Sequence, residues 1–301
     1  MTEHDDLKGV NERMRSLMAR TTHGRDDFED LVIVPLFAVV VALVFGVMGI
    51  LNLAHGSMYM VGAYLVWYFV AVTGSFTVSA ILSAVIALGL GILIERALIQ
   101  RLYNRNHLDQ VLLTIGMIFV FNALQSILWG NDPYGVAVPE ALSGSVPFTD
   151  NSSYPVYRIF AAMVCIAIAA ALYFVVSKTR LGMLIRAGES NREMVEALGV
   201  NIKSLYTIVF AIGVMLAAVS GIIAAPMRSI VPGMGESVLI TCFVVVVIGG
   251  MGSIKGAFVG ALLVGVISTF AAVLIPTMSN MIIYIFMILV LLVKPQGLFA
   301  K

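Results

Sequence analysis

The sequence predicts an all-α polytopic membrane protein with about nine transmembrane helices, and three observations support this fold class. Of its 301 residues, 60% are apolar and only 12% are charged, against about 45–50% and about 25% in ordinary soluble domains. The first 30 positions hold 13 of the 35 charged residues, and positions 31–94 carry no formal charge. A soluble domain of this size could not bury so much apolar surface in one core.

Hydropathy divides the chain into a charged N-terminal extension, 1–30, and a membrane domain, 31–301. A helix needs about 20 mostly apolar residues to cross about 30 Å of hydrocarbon. On this rule the predicted spans are 31–52, 56–74, 76–94, 109–129, 156–177, 205–225, 237–253, 257–275 and 280–293.

The distribution of Lys and Arg predicts how these spans are oriented. Basic residues gather in the connections 95–108 and 178–204, whereas the connection 130–157 carries only acids and is predicted to be a solvated loop. The excess of positive charge in cytoplasmic loops places both basic connections in the cytosol and the N-terminus outside. Spans one to four and six to nine then run in opposite senses, as in transporters built from two inverted halves.

Composition and missing motifs exclude several functions. A net charge of +1 without a basic stripe argues against nucleic acid as a partner. Cys165 and Cys242 lie in apolar runs, so neither a disulfide nor a cysteine-ligated metal is expected. The segment GGMGSIKG at 249–256 lacks the Walker A pattern, so we expect no ATP hydrolysis and no catalytic residue in this chain. The predicted membrane interior, away from the ends of the spans, offers one His and no carboxylate, which disfavours an ion-coupled carrier but not a passive channel.

The first candidate site is the segment NLAHGS at 52–57. Asn52 and His55 are costly to bury in charge-free sequence unless their polar groups find partners. One interpretation is a broken helix whose polar groups line a pathway through the membrane. The alternative is that Asn52 and His55 bond to backbone groups freed by the break, or lie at the cytoplasmic interface. No second His or Cys stands at a ligand spacing, so a metal site is not expected. The candidate pathway residues are Asn52, His55, Gly56, Ser57, Tyr59 and Thr114.

The second candidate site lies in the basic connection 178–204. Ser190 and Glu193 form a capping-box pattern and Gly199 is a natural stop, which together predict a helix of about two turns. Met194, Ala197 and Leu198 would share one face of it. A short rigid helix between two long spans suits docking into a groove on a soluble partner. The alternative is a loop that only joins two spans.

A third pattern concerns packing. Gly252, Gly256 and Gly260 recur every fourth residue, a spacing that lets helix backbones approach closely. It says little about any ligand.

Several of these motifs, taken in order from about Val39 to the C-terminus, resemble the membrane-spanning permeases of ABC importers for branched-chain amino acids, of the LivH type. Urea and amide permeases are close relatives of that family. The motifs are GVMGILNLAHGSMYMVGAY at 46–64, LLTIG at 112–116, RLGMLIRAGESNREMVEALGV at 180–200, FVVVVIGGMGSIKGAFVGALLVG at 243–265 and KPQGLF at 294–299.

The resemblance implies a type II-like importer permease in the bacterial inner membrane, with residues 31–301 as the permease domain. It would work with a second related permease, two ATP-binding subunits that hold ATP and Mg, and a periplasmic solute-binding protein. No cofactor is implied for this chain. The family's coupling segment maps to Arg186, Glu189, Asn191, Arg192, Glu193, Met194, Ala197, Leu198 and Gly199. A passive channel for a small neutral solute such as urea is the alternative function.

Overall fold

The computed structural model describes residues 52–103, 105–149, 152–250 and 253–299, and these form a bundle of α-helices with one small hairpin. The predicted all-α membrane fold is confirmed. The extension 1–30 and the first predicted span up to position 51 lie outside the described residues, so the count of nine spans and the side of the N-terminus remain predictions. The helices are α1 His55–Thr73, α2 Phe76–Ala97, α3 His107–Trp129, α4 Val156–Lys178, α5 Arg180–Ser190, α6 Arg192–Ala197, α7 Ile202–Ala224, α8 Met234–Gly249, α9 Ile254–Leu274 and α10 Ser279–Val293.

The eight predicted spans within the described residues are all apolar helices. Five of these helices, α1 to α4 and α7, are long and apolar enough to cross a membrane; α8 and α10 are shorter, and within α9 the apolar stretch is Gly256–Ala271. Helix α7 begins at Ile202 rather than at 205, because the Asn201 side chain accepts a hydrogen bond from the Ser204 amide at 3.1 Å and caps it. Hydropathy thus locates the spans, and for α7 a polar cap sets the first residue.

Helix α7 is the centre of the bundle, and small residues bring its neighbours close. A Cβ added at Gly62 of α1 would lie 2.2 Å from the Ala218 carbonyl oxygen, and one at Gly91 of α2 would lie 2.9 Å from the Ala211 Cα. Both distances are shorter than van der Waals contact, so these helices touch backbone to backbone.

The glycine ridge predicted for packing lies between α8 and α9. A Cβ at Gly256 would meet the Gly249 carbonyl oxygen at 2.1 Å, and one at Gly260 would meet the Val245 carbonyl oxygen at 2.9 Å. Gly252 lies outside the described residues. The two described members of the ridge therefore lie directly against α8.

The two basic connections lie at one end of the bundle. Thr207, near the start of α7, donates a hydrogen bond to Glu95, near the end of α2, at 2.6 Å. The rings of Tyr103 and Tyr206 are 5.2 Å apart, centroid to centroid. We call this end the basic end and the opposite one the acidic end, where the Tyr157 hydroxyl of α4 donates to the Ile223 carbonyl of α7 at 3.0 Å.

The acidic connection is not the simple solvated loop that the sequence predicts. It contains an antiparallel hairpin of β1, Ser145–Thr149, and β2, Ser152–Pro155. Tyr134 and Ile230 exchange two backbone hydrogen bonds of 3.0 and 2.8 Å, which tie the loop to the segment before α8. Most described residues of this connection are exposed, as expected, but the pairing was not predicted because Ile230 is distant from Tyr134 in sequence.

The predicted Ser190–Glu193 capping box is also wrong. Helix α5 begins at the cap Thr179, whose hydroxyl accepts from the Gly182 amide at 3.2 Å, and it continues through Ser190. Asn191 then caps a second helix, α6, by accepting from the Met194 amide at 2.9 Å. The extended backbone of Asn191 separates the two helices, and Gly199, with φ of +85°, follows the end of α6.

Candidate functional site

The polar groups at the start of α1 first satisfy one another. The Asn52 side-chain oxygen accepts from the Ala54 amide at 3.0 Å, and His55 Nδ1 donates to the Asn52 carbonyl at 3.1 Å. These bonds hold the turn that opens the helix. They match the alternative interpretation, in which Asn52 and His55 pair with local backbone groups.

Two further polar atoms at this turn are buried without a partner. His55 Nε2 and the Ser57 hydroxyl have no hydrogen bond among the described residues, although both side chains are at least 97% buried. The His55 ring lies edge-on to Phe210 of α7, at 5.7 Å between centroids. Because burying an unpaired polar atom is unfavourable, the start of α1 is a place where the bundle retains unused hydrogen-bonding capacity.

The first turn of α1 lies against the first turn of α8. A Cβ added at Gly56 would lie 2.4 Å from the Gly235 carbonyl oxygen, and one at Gly235 would lie 1.9 Å from the Gly56 carbonyl oxygen. Each glycine is the second residue of its helix. The two helix N-termini therefore meet, and helix N-termini carry partial positive charge.

A carboxylate follows this contact, and the sequence analysis missed it. Glu236 is the third residue of α8, and its Oε1 accepts a hydrogen bond from Asn122 Nδ2 of α3 at 2.6 Å. The predicted span begins at 237, so Glu236 falls just before it, because a charged residue lowers local hydropathy. The signal that would have found it is the acidic residue in the first turn of a helix, where the helix dipole favours negative charge.

Glu236 begins a polar strip on the surface of the bundle. The strip consists of Asn122 on α3 and Glu236, Ser237 and Thr241 on α8; Glu236 and Ser237 are exposed, and Asn122 and Thr241 are half-buried. Exposed polar side chains in a membrane-spanning segment normally face a partner or a water-filled pathway and not lipid. This face is the strongest candidate for a pathway wall in the described part of the chain.

The remaining predicted pathway residues lie apart from the strip. Tyr59 is fully buried, and a Cβ added at Gly221 would lie 2.0 Å from the Tyr59 carbonyl oxygen. Thr114 is also fully buried and donates to the Val111 carbonyl of its own helix at 2.9 Å. The structure thus gives Tyr59 a packing contact with α7 and Thr114 an intrahelical bond.

A second carboxylate overturns the expectation that the interior has none. Glu95 of α2 is fully buried and accepts hydrogen bonds from the Tyr103 hydroxyl at 2.5 Å and from the Thr207 hydroxyl at 2.6 Å. Each of its two oxygens thus has a hydroxyl donor, which offsets the cost of burial. Glu95 joins α2 to α7 at the basic end.

The predicted coupling segment is anchored at that same end and exposes apolar side chains. Val195 of α6 and Ile185 of α5 are buried, whereas Met194, at 58% exposure, and Leu198, at 76%, face outward. Ala197 is exposed as well. One side of the segment therefore packs on the bundle, and the other presents an apolar surface.

The turn into the segment is held tightly. The exposed Arg186 donates to the Val176 carbonyl of α4. A Cβ added at Gly182 would lie 2.1 Å from the same oxygen, so only glycine fits there. Glu189, Arg192 and Glu193 belong to α5 and α6. These contacts fix α5 as a rigid extension of α4.

Comparison with known proteins identifies this arrangement. Residues 30–291 match the family model for the permease component of branched-chain amino acid transport systems. The chain belongs to this family. It is therefore a transport permease of the ABC type and a multi-pass membrane protein that works with other subunits. No solved structure matches the chain.

Curated relatives of the family align over most of the chain. The permease protein BraD of the high-affinity branched-chain amino acid transport system of Pseudomonas aeruginosa is 32% identical over 286 residues, which cover 88% of this chain and 91% of BraD. The permease protein LivH of Escherichia coli is 29% identical over the same shares. A probable LivH of Methanocaldococcus jannaschii is 23% identical over 82% of both chains. The resemblance noted from the motifs is confirmed.

Among the described residues there is no group of three His, Cys, Asp or Glu side chains that could hold a metal ion.

Proposed function

We propose that the chain is the permease subunit of an ATP-driven importer for branched-chain or other neutral amino acids in the bacterial inner membrane. The single observation that carries the proposal is the family match over residues 30–291, together with relatives aligned over 88% of the chain. The relatives are named for branched-chain amino acid transport, and a pathway with few charges suits a zwitterion whose net charge is zero.

The partners follow from the surfaces of the chain. The exposed polar strip would be unfavourable against lipid, so a second, related permease is proposed to cover it and complete the pathway. Two ATP-binding subunits would supply the energy and hold ATP and Mg. A periplasmic solute-binding protein would deliver the substrate at the acidic end.

The coupling segment is proposed to dock on an ATP-binding subunit through Met194 and Leu198. Both side chains are exposed on a capped helix that the buried Val195 fixes to the bundle. Movement of the docked subunit would pass through α5 into α4. We expect the double variant M194S/L198S to insert normally but to lose most uptake, because an apolar docking contact is removed.

A matched control for this variant is V146S, which removes an exposed apolar side chain, 45% accessible, from the hairpin at the acidic end. Uptake by V146S should stay at the wild-type level, because Val146 lies at the opposite end of the bundle from the proposed docking surface. Full uptake by M194S/L198S would contradict the proposed docking surface.

Reconstitution tests the function itself. We expect proteoliposomes with the complete complex and loaded receptor to accumulate labelled leucine only when ATP is supplied on the side of the ATP-binding subunits. We expect this chain alone to give no flux of leucine or urea. ATP-independent equilibration of either solute by the chain alone would favour the passive channel instead.

A further inference from the structure

The carboxylate of Glu236 lies at hydrocarbon depth although it is exposed. Its partner Asn122 precedes the end of α3, Trp129, by seven residues, or about 10 Å along a helix. Ile127 and Leu128, which are 79% and 62% exposed, lie between that level and the acidic end. Apolar exposed side chains of that kind face lipid, so Glu236 is deeper than the start of the hydrocarbon layer.

A charged side chain at this depth must be stabilised by its surroundings. A charged carboxylate inside a membrane is unfavourable unless water, a partner or a ligand solvates it. Packing against other side chains does not stabilise the charge, because Glu236 is exposed and Asn122 is only half-buried. The N-terminus of α8 favours the negative charge but does not require an exposed one. Water and a ligand on this face would provide the missing solvation.

The carboxylate oxygen that lacks a hydrogen-bond donor determines what Glu236 can bind. Asn122 donates to Oε1, and among the described residues Oε2 has no hydrogen-bond donor. A carboxylate with one open oxygen attracts a cationic N–H donor. A neutral amino acid carries such a donor in its ammonium group, whereas urea and simple amides do not.

We propose that Glu236, positioned by Asn122, is a transient binding site for the ammonium group of a zwitterionic substrate on its way through the permease. This inference rests on the proposed function and names the residue that would make the pathway selective for amino acids over uncharged amides. The neighbouring contact of Gly56 with Gly235 places the site beside the meeting point of α1 and α8.

Two variants of the complete complex test the site by transport. Glu236→Gln keeps the shape and removes the charge, and we expect the rate of leucine uptake per assembled complex to fall at least tenfold. Glu236→Asp keeps the charge and should retain more uptake than E236Q. The matched control is Glu140→Gln, which removes an exposed carboxylate from the acidic connection and should leave uptake within twofold. Equal uptake by E236Q and E140Q would overturn the proposal.

A labelling experiment separates this site from the proposed function, because it needs no transport. The variant E236C should react with a membrane-impermeant thiol reagent in the assembled complex, and leucine delivered by the receptor should slow that reaction. Leu124→Cys, at an exposed apolar position on the opposite side of α3 from Asn122, serves as the lipid-facing control and should react slowly. The two native cysteines are buried.

The outcomes are distinct. If E236C is no more reactive than L124C, Glu236 does not face water and the inference fails, even if the complex imports leucine. If E236C reacts but E236Q imports normally, the site is wet and binds no ammonium, and the inference also fails. If the wild-type complex imports no neutral amino acid, the proposed function fails, and the inference falls with it. Should E236Q fail to assemble, protection of E236C by leucine supports the proposal, and its absence overturns it.

Discussion

The contact between the first turns of α1 and α8 makes a sharp prediction for Gly56→Ala. The added methyl carbon would lie 2.4 Å from the Gly235 carbonyl oxygen, 3.0 Å from its carbon and 3.0 Å from the Leu239 Cβ. Two of these three atoms belong to the backbone, so no side chain can rotate away. Ordinary contact begins at 3.4 Å, and the two helices must therefore separate by 1.0 Å at this point.

Such a separation has a definite energetic size. Overpacking of a well-packed contact costs about 1–3 kcal/mol, and the helix propensity of alanine over glycine returns about 1 kcal/mol at most. We therefore expect a net loss of up to about 2 kcal/mol of stability. The transport rate per folded complex should also fall, because the displaced turn carries His55 and adjoins Glu236.

The assay compares Gly56→Ala with Gly116→Ala in the purified complex. Gly116 lies in α3, and a Cβ added there would meet no atom within 4 Å, so both variants make the same chemical change in a helix. We expect G116A to melt at or slightly above the wild-type temperature and to transport normally, and G56A to melt lower and transport poorly. If G56A and G116A behave alike, the close contact of α1 and α8 is not present in the working protein.

Three further substitutions test the basic end and the coupling segment. Thr207→Val removes one of the two hydroxyl donors to the buried Glu95 and should lower the unfolding free energy by about 1.5–3 kcal/mol, as measured by thermal melting; an unchanged melting temperature would contradict the bond. Asn191→Ala removes the cap of α6 and should cost about 1 kcal/mol, seen as faster amide exchange confined to that helix. Gly182→Ala brings a methyl group within 2.1 Å of the Val176 carbonyl oxygen and should reduce ATP-dependent uptake without preventing insertion; normal uptake would show that the turn into α5 is not rigid.

The membrane helices could be predicted from the sequence because the decisive interaction is local. About 20 apolar residues in a row can satisfy their backbone only as a helix in lipid, and each predicted span from 56–74 onward corresponds to one apolar helix. The starts of helices were less predictable. Ser190 and Asn191 are adjacent and both favour the cap position, and only the continuation of α5 decides between them.

The candidate site could be predicted only in part because its contacts join distant segments. Nothing near Gly56 in sequence indicates that it touches Gly235, and nothing near Asn122 indicates a bond to Glu236. A carboxylate also lowers local hydropathy, so the predicted spans end directly beside Glu95 and Glu236 and leave both residues outside. The polar turn at Asn52 and His55 was visible, but its hydrogen bonds proved to be mostly local.

This permease is proposed to receive its energy through the exposed face of α6. The most direct measurement places a photoreactive amino acid at Leu198, which is 76% exposed, in the intact complex, with the same probe at Val146 as the control. We expect the probe at 198 to form adducts with the ATP-binding subunit and the probe at 146 to form none with it. Adducts of the probe at 198 with lipid or the solute-binding protein alone would show that α6 does not dock on the ATP-binding subunit.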